Sequence, residues 1–315
     1  MGACVCCYSE GAKVGKVLDA FPGYRASNAQ DGTLQKVIGR VVLAGQQPFY
    51  APVTGKPCVY YKTTVREERL EVSYYRDQNG FSHRRVYPVW YTIAVSEQFS
   101  NFYLQDGTSK VFVPGDRGTC RIQSLKGGGM SGVWSGMPPP GVQSMIAASF
   151  AARGQVFWGW GAVDGMRTGR YDYREESFDV NEIVAALGVP IQAQDPYTQQ
   201  PVKIIQPFSQ ETLSEDWMKE QDWTELQRES WKSLLKQGGA VLLSDNPNQT
   251  AGIEISVITA LPQYMTTVAT SAEQFNGMYQ NSKQLVTAVA QAEPASGAQP
   301  AATATATATV YPTPN

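Results

Sequence analysis

The residues of this chain that are best placed for covalent chemistry stand at its beginning. Gly2 follows the initiator methionine, which is the position of N-myristoylation, and Cys4, Cys6 and Cys7 follow closely. A single myristoyl chain binds a bilayer weakly and reversibly, whereas a second acyl chain makes the attachment stable. The spacing therefore predicts a myristate on Gly2 and palmitate on one or more of the three cysteines.

One residue departs from the usual acylation pattern, and a second interpretation stays open. Myristoylated chains usually carry Ser or Thr at position 6, where this chain has Cys6. In the alternative interpretation, the N-terminus is disordered and its thiols are incidental. Three exposed free cysteines would then be open to oxidation. We therefore expect these cysteines to be acylated.

Outside the first seven residues, few side chains are suited to catalysis. Cys58 could act as a nucleophile with His83, the single histidine, as its base. The simpler interpretation makes Cys58 a buried strand residue and His83 a surface residue of a hairpin. The cysteines do not form the paired Cys-x-x-Cys pattern of a zinc site. The sequence predicts no enzyme, no metal site and no bound cofactor.

A basic and aromatic segment is the best candidate for contact with a partner. Arg84 and Arg85 precede Trp90 within a β-rich stretch, and such a set suits phospholipid headgroups, a protein partner or nucleic acid. An ordinary exposed hairpin is the alternative. We expect a headgroup or protein contact here, and no nucleic acid.

Composition and charge favour a folded domain at a membrane surface. Hydrophobic residues make up 42% of the chain, enough for a sizeable core. No apolar run approaches the length of a transmembrane helix. Residues 1–171 carry 19 Lys and Arg against 11 Asp and Glu, whereas residues 172–315 carry 7 against 17. A basic half suits anionic lipid, although an ordinary fluctuation of charge is the alternative.

Short β-rich runs separated by turn residues predict a mainly β fold, an antiparallel barrel or sandwich. The runs Val37–Gly45 and Cys58–Val65 are predicted strands. Asn79-Gly80, between residues 70–75 and 83–87, predicts a hairpin with a type I′ turn. Further strands are predicted at residues 90–95, 102–104, 110–113, 171–178, 183–188 and 202–205.

The clearest helical pattern covers residues 212–237. Ser214 is the predicted N-cap and Gly238 the stop. Its apolar stripe is formed by Trp217, Leu226, Leu234 and Leu235, with Trp223 and Trp231 at the margins. Six acidic against four basic residues do not suit anionic lipid, so we expect this amphipathic helix to pack on the β-domain.

The strand–loop–strand text near the start of the β-rich region resembles a known family. Residues 38–41 and then 51–61, with the letters Pro-Val-Thr-Gly-Lys-Pro-Cys-Val-Tyr-Tyr from position 52, look like the opening of the GIDE-type domain. This domain is also called BAM, for "beside a membrane". Residues 102–113 are similar to its second hairpin, and 176–188 and 242–244 stand where its closing strands would.

The resemblance implies a β-rich domain beside a membrane and does not carry over the family's enzymatic activity. Its ubiquitin-ligase members have transmembrane helices and a C-terminal RING. A RING needs about eight Cys and His ligands for two zinc ions, and only Cys58, His83 and Cys120 lie outside the head. Acyl chains would here replace the missing transmembrane helices.

The chain is thus expected to have four parts: an acylated head and linker (1–34), a GIDE-like β-rich domain (35–255, with an insertion at 127–170), a helical extension (256–290) and a disordered tail (291–315). The expected function is a lipid-anchored, peripheral scaffold or adaptor at the cytosolic face of a membrane. The alternative is a structural subunit of a larger cytoskeletal or cortical assembly.

Overall fold

Strands rich in β-branched and aromatic residues dominate the part of the chain that the computed structural model describes. It describes residues 9–124, 130–135, 137–155, 167–236, 238–251 and 253. The mainly β character predicted from the sequence is confirmed. The strands are β1 (Gly23–Arg25), β2 (Gln35–Leu43), β3 (Phe49–Tyr50), β4 (Pro57–Arg76), β5 (Ser82–Phe99), β6 (Phe102–Asp106), β7 (Ser109–Val113), β8 (Cys120–Gln123), β9 (Met130–Ser135), β10 (Arg167–Asp179), β11 (Ile183–Gln194), β12 (Pro201–Gln206) and β13 (Val241–Ser244).

Five strands pair in a closed ring, which makes a small barrel. β2 pairs with β6, β6 with β7, β7 with β12, β12 with β11, and β11 again with β2. The β7–β12 pairing is parallel and covers only two residue pairs, so it is the weakest join of the ring. Strands β13 and β8 extend the sheet beyond β11.

Alternate residues of these strands fill the barrel, as the period-two geometry of a strand requires. Among its fully or nearly fully buried side chains are Val37, Val41, Phe102, Leu104, Val111, Val113, Val184, Ala186, Ile205, Val241 and Leu243. Tyr60 of β4 and Phe178 of β10 enter the same core, with ring centroids 5.3 Å apart. The second sheet therefore contributes side chains to the core of the barrel.

The second sheet is built around one very long hairpin. β4 has 20 residues and β5 has 18, and they pair from Tyr60–Phe99 to Arg76–Ser82. At roughly 3.3 Å per residue, β4 is about 65 Å long. β10 pairs with β4 only as far as Arg69, and β9 pairs with β10 on its other edge.

The tip of this hairpin forms, but with a different turn from the one predicted. Gly80 has a positive φ of 84°, whereas Asn79 does not, so the turn is not type I′. Gly80 N donates to the carbonyl of Asp77, and Asp77 Oδ1 accepts from the backbone of Asn79 and Phe81. The Asp77 side chain thus holds a three-residue loop with glycine in the left-handed region.

Helices cover the barrel and one face of the long hairpin. They are α1 (Glu10–Leu18), α2 (Pro140–Ala151), α3 (Glu215–Glu220), α4 (Glu225–Leu235) and α5 (Pro247–Thr250), with 3₁₀ turns at Ala26–Asn28 and Gln210–Thr212. None of the helices within the described ranges is long and apolar enough to cross a bilayer.

The single helix expected over 212–237 is instead two helices. Ser214 caps α3 as predicted, but α3 ends before Asp222, whose φ is +52°. Thr224 then starts α4 with its own capping box to Gln227. The pair does pack on the β-domain, and Trp231, expected at a margin of the stripe, is fully buried.

The region expected to be an insertion, 127–170, is partly integrated into the fold. β9 joins the second sheet, and Val142, Ile146 and Phe150 of α2 pack on the hairpin next to Val65. Gly141 allows this approach, because a Cβ there would lie 2.5 Å from the carbonyl oxygen of Pro52. The predicted helical extension and the predicted tail lie outside the described residues.

Candidate functional site

The segment directly after the proposed acylation head is a buried helix. Residues 1–34 were expected to be an acylated head and a linker, but α1, which lies within this range, is part of the folded unit. Ser9 is its N-cap, with Oγ accepting from Ala12 N at 3.3 Å. Val14, Val17 and Leu18 are completely buried.

A cluster of aromatic side chains packs at the C-terminal end of α1 and holds this helix in place. We call this set, formed by Phe21, Phe208, Trp217, Trp223 and Trp231, the aromatic cluster. The ring of Trp231 stacks on Phe208 with centroids 4.9 Å apart, and meets Trp223 edge-on at 5.7 Å. Phe21, three residues after α1, contacts all three tryptophans. These contacts fix the C-terminal end of α1.

Polar contacts fix α1 from the side of the barrel. Lys36 of β2 donates through Nζ to the carbonyl of Leu18 at 3.0 Å and to Gln249 Oε1. Gln249 Nε2 in turn donates to Asp19. Burial lowers the pKa of Lys36, and the nearby Asp19 charge partly offsets the effect. The end of α1 is thus tied to β2 and α5.

The predicted lipidation residues, Gly2, Cys4, Cys6 and Cys7, lie outside the described residues. Chain length alone still limits how far they can be from the fold. Ser9 is two positions after Cys7, with only Tyr8 between them, and an extended chain spans at most about 3.6 Å per residue. A lipid on Cys7 would therefore be attached within about 7 Å of the cap of α1.

The three predicted contact residues of the hairpin do not form one patch. Neighbouring residues of a strand point to opposite faces, so Arg85 lies on the face opposite to Arg84 and Trp90. Trp90 is six positions after Arg84, about 20 Å along the strand. The Trp90 ring lies between the guanidinium groups of Arg66 and Arg170, 5.8 and 5.9 Å from its centroid. Trp90 is thus engaged within the base of the hairpin.

The most exposed aromatic side chains of the described residues lie at the hairpin tip, which sequence reasoning did not single out. The side chains of Tyr74, Tyr75 and Phe81 are 71%, 55% and 67% exposed. Tyr75 stacks on His83 at 5.3 Å, and His83 Nε2 lies 2.8 Å from Asp77 Oδ2. The bond to His83 lowers the pKa of Asp77. The sequence signal that could have identified this exposed tip was the Tyr-Tyr pair together with the arginines around the Asn-Gly turn.

Cys58 and His83 are at opposite ends of the hairpin. Cys58 stands near the start of β4, whereas His83 is paired with Tyr75 near its end, about 55 Å away at 3.3 Å per residue. Burial, together with the charges of Asp179 and Glu175, raises the pKa of the Cys58 thiol. The proposed pair of nucleophile and base is therefore not assembled, and this interpretation is wrong.

The loop that carries the family resemblance has a structural role at the hairpin base. Glu175 of β10 accepts from the backbone of Val53 at 2.7 Å and Thr54 at 3.0 Å, and from Thr63 Oγ1 at 2.9 Å. Gly55 has a φ of +67°. A buried carboxylate with three donors thus fixes the loop where β4 begins.

A cleft of about 640 Å³ lies beside the barrel, next to β7 and β12. Its carboxylate, Asp195, accepts from Tyr103 Oη at 2.6 Å and Thr198 Oγ1 at 2.8 Å. Its lysines contact the Tyr103 ring (Lys110) and the carbonyl of Ala29 (Lys203). These polar groups are engaged with the protein itself. No group of three or more His, Cys, Asp or Glu that could hold a metal ion occurs within the described ranges.

The reactivity of the cysteine thiols can distinguish the predicted acylation head from the folded domain. Burial raises the pKa of Cys120 to about 12, and Cys58 is completely buried. The thiolate is the form of cysteine that reacts with iodoacetamide. When an unacylated chain is treated with this reagent at about pH 8, we therefore expect modification of the three head cysteines only. Peptide mass mapping gives the positions, and the denatured chain, with all five modified, is the control. Rapid native modification of Cys58 would contradict this picture.

Comparison of the chain with protein-family models, with curated proteins and with solved structures finds no match. The resemblance to the GIDE-type domain therefore stays a prediction based on the residues that carry it.

Proposed function

We propose that this protein is a lipid-anchored, non-catalytic scaffold or adaptor whose β-rich domain works beside the cytosolic face of a membrane. The observation that carries the proposal is the position of α1. This helix is fixed in the core through Val14, Val17 and Leu18, and its cap is two residues from Cys7. A lipidated head would therefore hold the folded domain against the bilayer rather than at the end of a flexible linker.

The chemistry of the head supports the same proposal. Myristate alone is a weak and reversible anchor, and thioester-linked palmitate on Cys4, Cys6 or Cys7 would supply the second signal. The domain would then be a membrane-bound surface available to a protein partner or to lipid headgroups. The GIDE-like loop at 51–61 is in keeping with this proposal, since its family occurs beside membranes.

Intact mass and fractionation test the proposal directly. The full chain with a C-terminal tag, expressed in eukaryotic cells, is expected in the membrane fraction with the mass of a myristate and at least one palmitate. Hydroxylamine cleaves thioesters and spares the myristoyl amide, so it is expected to remove only the palmitate and to release much of the protein. A soluble chain without added mass would overturn the proposal.

A further inference from the structure

The outer part of the long hairpin is a ribbon of two strands within the described residues. We call residues 70–88 the distal ribbon. Within the described residues, β10 pairs with β4 only up to Arg69, and beyond it β4 and β5 pair only with each other. An isolated two-stranded ribbon is marginally stable in water. A ribbon of this length is therefore expected to be covered by something when the protein works.

The side chains at the end of the ribbon are those that suit a bilayer interface. Tyr74, Tyr75 and Phe81 are all more than half exposed. Aromatic side chains are enriched at the level of lipid headgroups, where an apolar ring and a polar edge are both satisfied. Phe81 stands in the turn at the far end of the hairpin, so it is the first apolar group to meet a surface that the tip approaches.

The charges around these rings favour an anionic surface. Arg76, Arg84 and Arg85 lie within the last pairs of the ribbon. Among the described residues, no carboxylate forms an ion pair with any of the three. Asp77 is the one acidic residue of 72–86. Its carboxylate is engaged by His83 and by the backbone of the turn. Basic residues near an anionic leaflet each strengthen binding.

We propose that the tip of the distal ribbon is a second membrane contact, which inserts Phe81, Tyr74 and Tyr75 into the interface of an anionic bilayer. Arg76, Arg84 and Arg85 then lie among the lipid phosphates on both faces of the ribbon. The inference rests on the proposed function for bringing the domain to a membrane, but the contact itself does not need acyl chains.

A second copy of the chain is the competing occupant, because no strand of the described residues pairs with the outer edge of β5. Two features disfavour edge-to-edge pairing. Pro88 lacks the N–H that a neighbouring strand would need. Any antiparallel register that places Arg84 opposite Arg85 of the second copy would also bring like charges together, which is destabilising.

Vesicle binding of the unacylated full chain tests the contact. The probes are liposomes of phosphatidylcholine alone and of phosphatidylcholine mixed with phosphatidylserine, and binding is measured by flotation. The wild-type chain is expected to bind only the anionic liposomes. Phe81→Ser is expected to weaken that binding about tenfold, and Arg84→Gln with Arg85→Gln by about tenfold or more.

Matched control variants make the same kinds of substitution, one apolar and one basic, away from the hairpin tip. Val95→Ser alters an exposed apolar residue of the same strand, 52% exposed but near the base of the hairpin. Lys56→Gln with Lys110→Gln removes two exposed charges away from the tip. Both controls are expected to leave anionic binding within about twofold of wild type.

The outcomes separate this inference from the proposed function. No binding of the unacylated chain to anionic liposomes, or equal loss in tip and control variants, would overturn the membrane contact even if the head is acylated in cells. Concentration-dependent dimerisation in solution that Phe81→Ser abolishes would assign the ribbon to a second copy and would also overturn it. An unmodified head in cells would overturn only the anchor.

Discussion

Replacing Gly2 with alanine is expected to move the protein from the membrane fraction to the soluble fraction and to remove palmitate together with myristate. Myristoylation requires the glycine. Without the first, weak membrane contact, the cysteines would not stay near the bilayer long enough for palmitate to be added. Fractionation with click-labelled myristate and palmitate measures both results in one experiment.

The control for Gly2→Ala keeps the first signal and removes the second. Replacement of Cys4, Cys6 and Cys7 with serine is expected to leave the myristate in place and to give partial, wash-sensitive binding, as one chain alone provides. If the Gly2→Ala protein stays membrane-bound after washing, myristate is not the first anchor. The distal ribbon or the cysteines alone would then have to account for attachment.

Replacing Trp231 with alanine is expected to lower the free energy of unfolding of the domain by about 3–5 kcal/mol. The side chain is fully buried at the centre of the aromatic cluster, and its Nε1 donates to the carbonyl of Gln210 at 3.2 Å. The cavity would open beside α1. Urea unfolding followed by circular dichroism gives the stability, and hydrogen exchange at residues 10–18 reports whether α1 loosens first.

Trp90→Ala is the matched control, since it removes the same side chain from the hairpin. Its ring is partly exposed and lies between two guanidinium groups, so a loss of about 1–2 kcal/mol is expected. Equal losses for the two variants, or unchanged exchange at α1 in Trp231→Ala, would contradict the role given to the aromatic cluster.

The barrel strands were predictable because their signal is local. β2, β6 and β7 are runs of β-branched and aromatic residues bounded by glycine or turn residues, and most of their residues are buried. The length of the hairpin was not predictable in the same way. Pro88 divides the sequence of β5 into two separate runs of strand-forming residues. Because proline is tolerated on an edge strand, β5 continues through it.

The position of α1 could not be predicted because its signal is tertiary. Gly11 and Gly15 weaken a nine-residue helix, and glycine costs about 1 kcal/mol in a helix interior. In the fold, a Cβ on Gly15 would lie 2.4 Å from the side chain of Gln123. The glycine that disfavours the helix locally therefore permits its close contact with β8.

The break between α3 and α4 could not be predicted either, because it depends on side-chain contacts with a distant part of the chain. The three tryptophans of 212–237 converge on Phe21, which is distant in sequence, and one continuous helix would not bring them there. Asp222 takes a left-handed conformation instead. A capping box at Thr224 and Gln227 was the local signal for the second start.

The two-residue spacing between Cys7 and Ser9 also has a kinetic consequence. Once an acyl chain is in the bilayer, any second lipid-binding element of the same rigid domain meets the membrane as an intramolecular partner. Short connections give effective concentrations in the mM range, so overall avidity can exceed either contact alone by about 10²–10⁴-fold. A depalmitoylating enzyme acting on the head would then shorten residence on the membrane in a graded way, because the domain detaches only when both contacts are open together and each lost acyl chain makes that state more frequent.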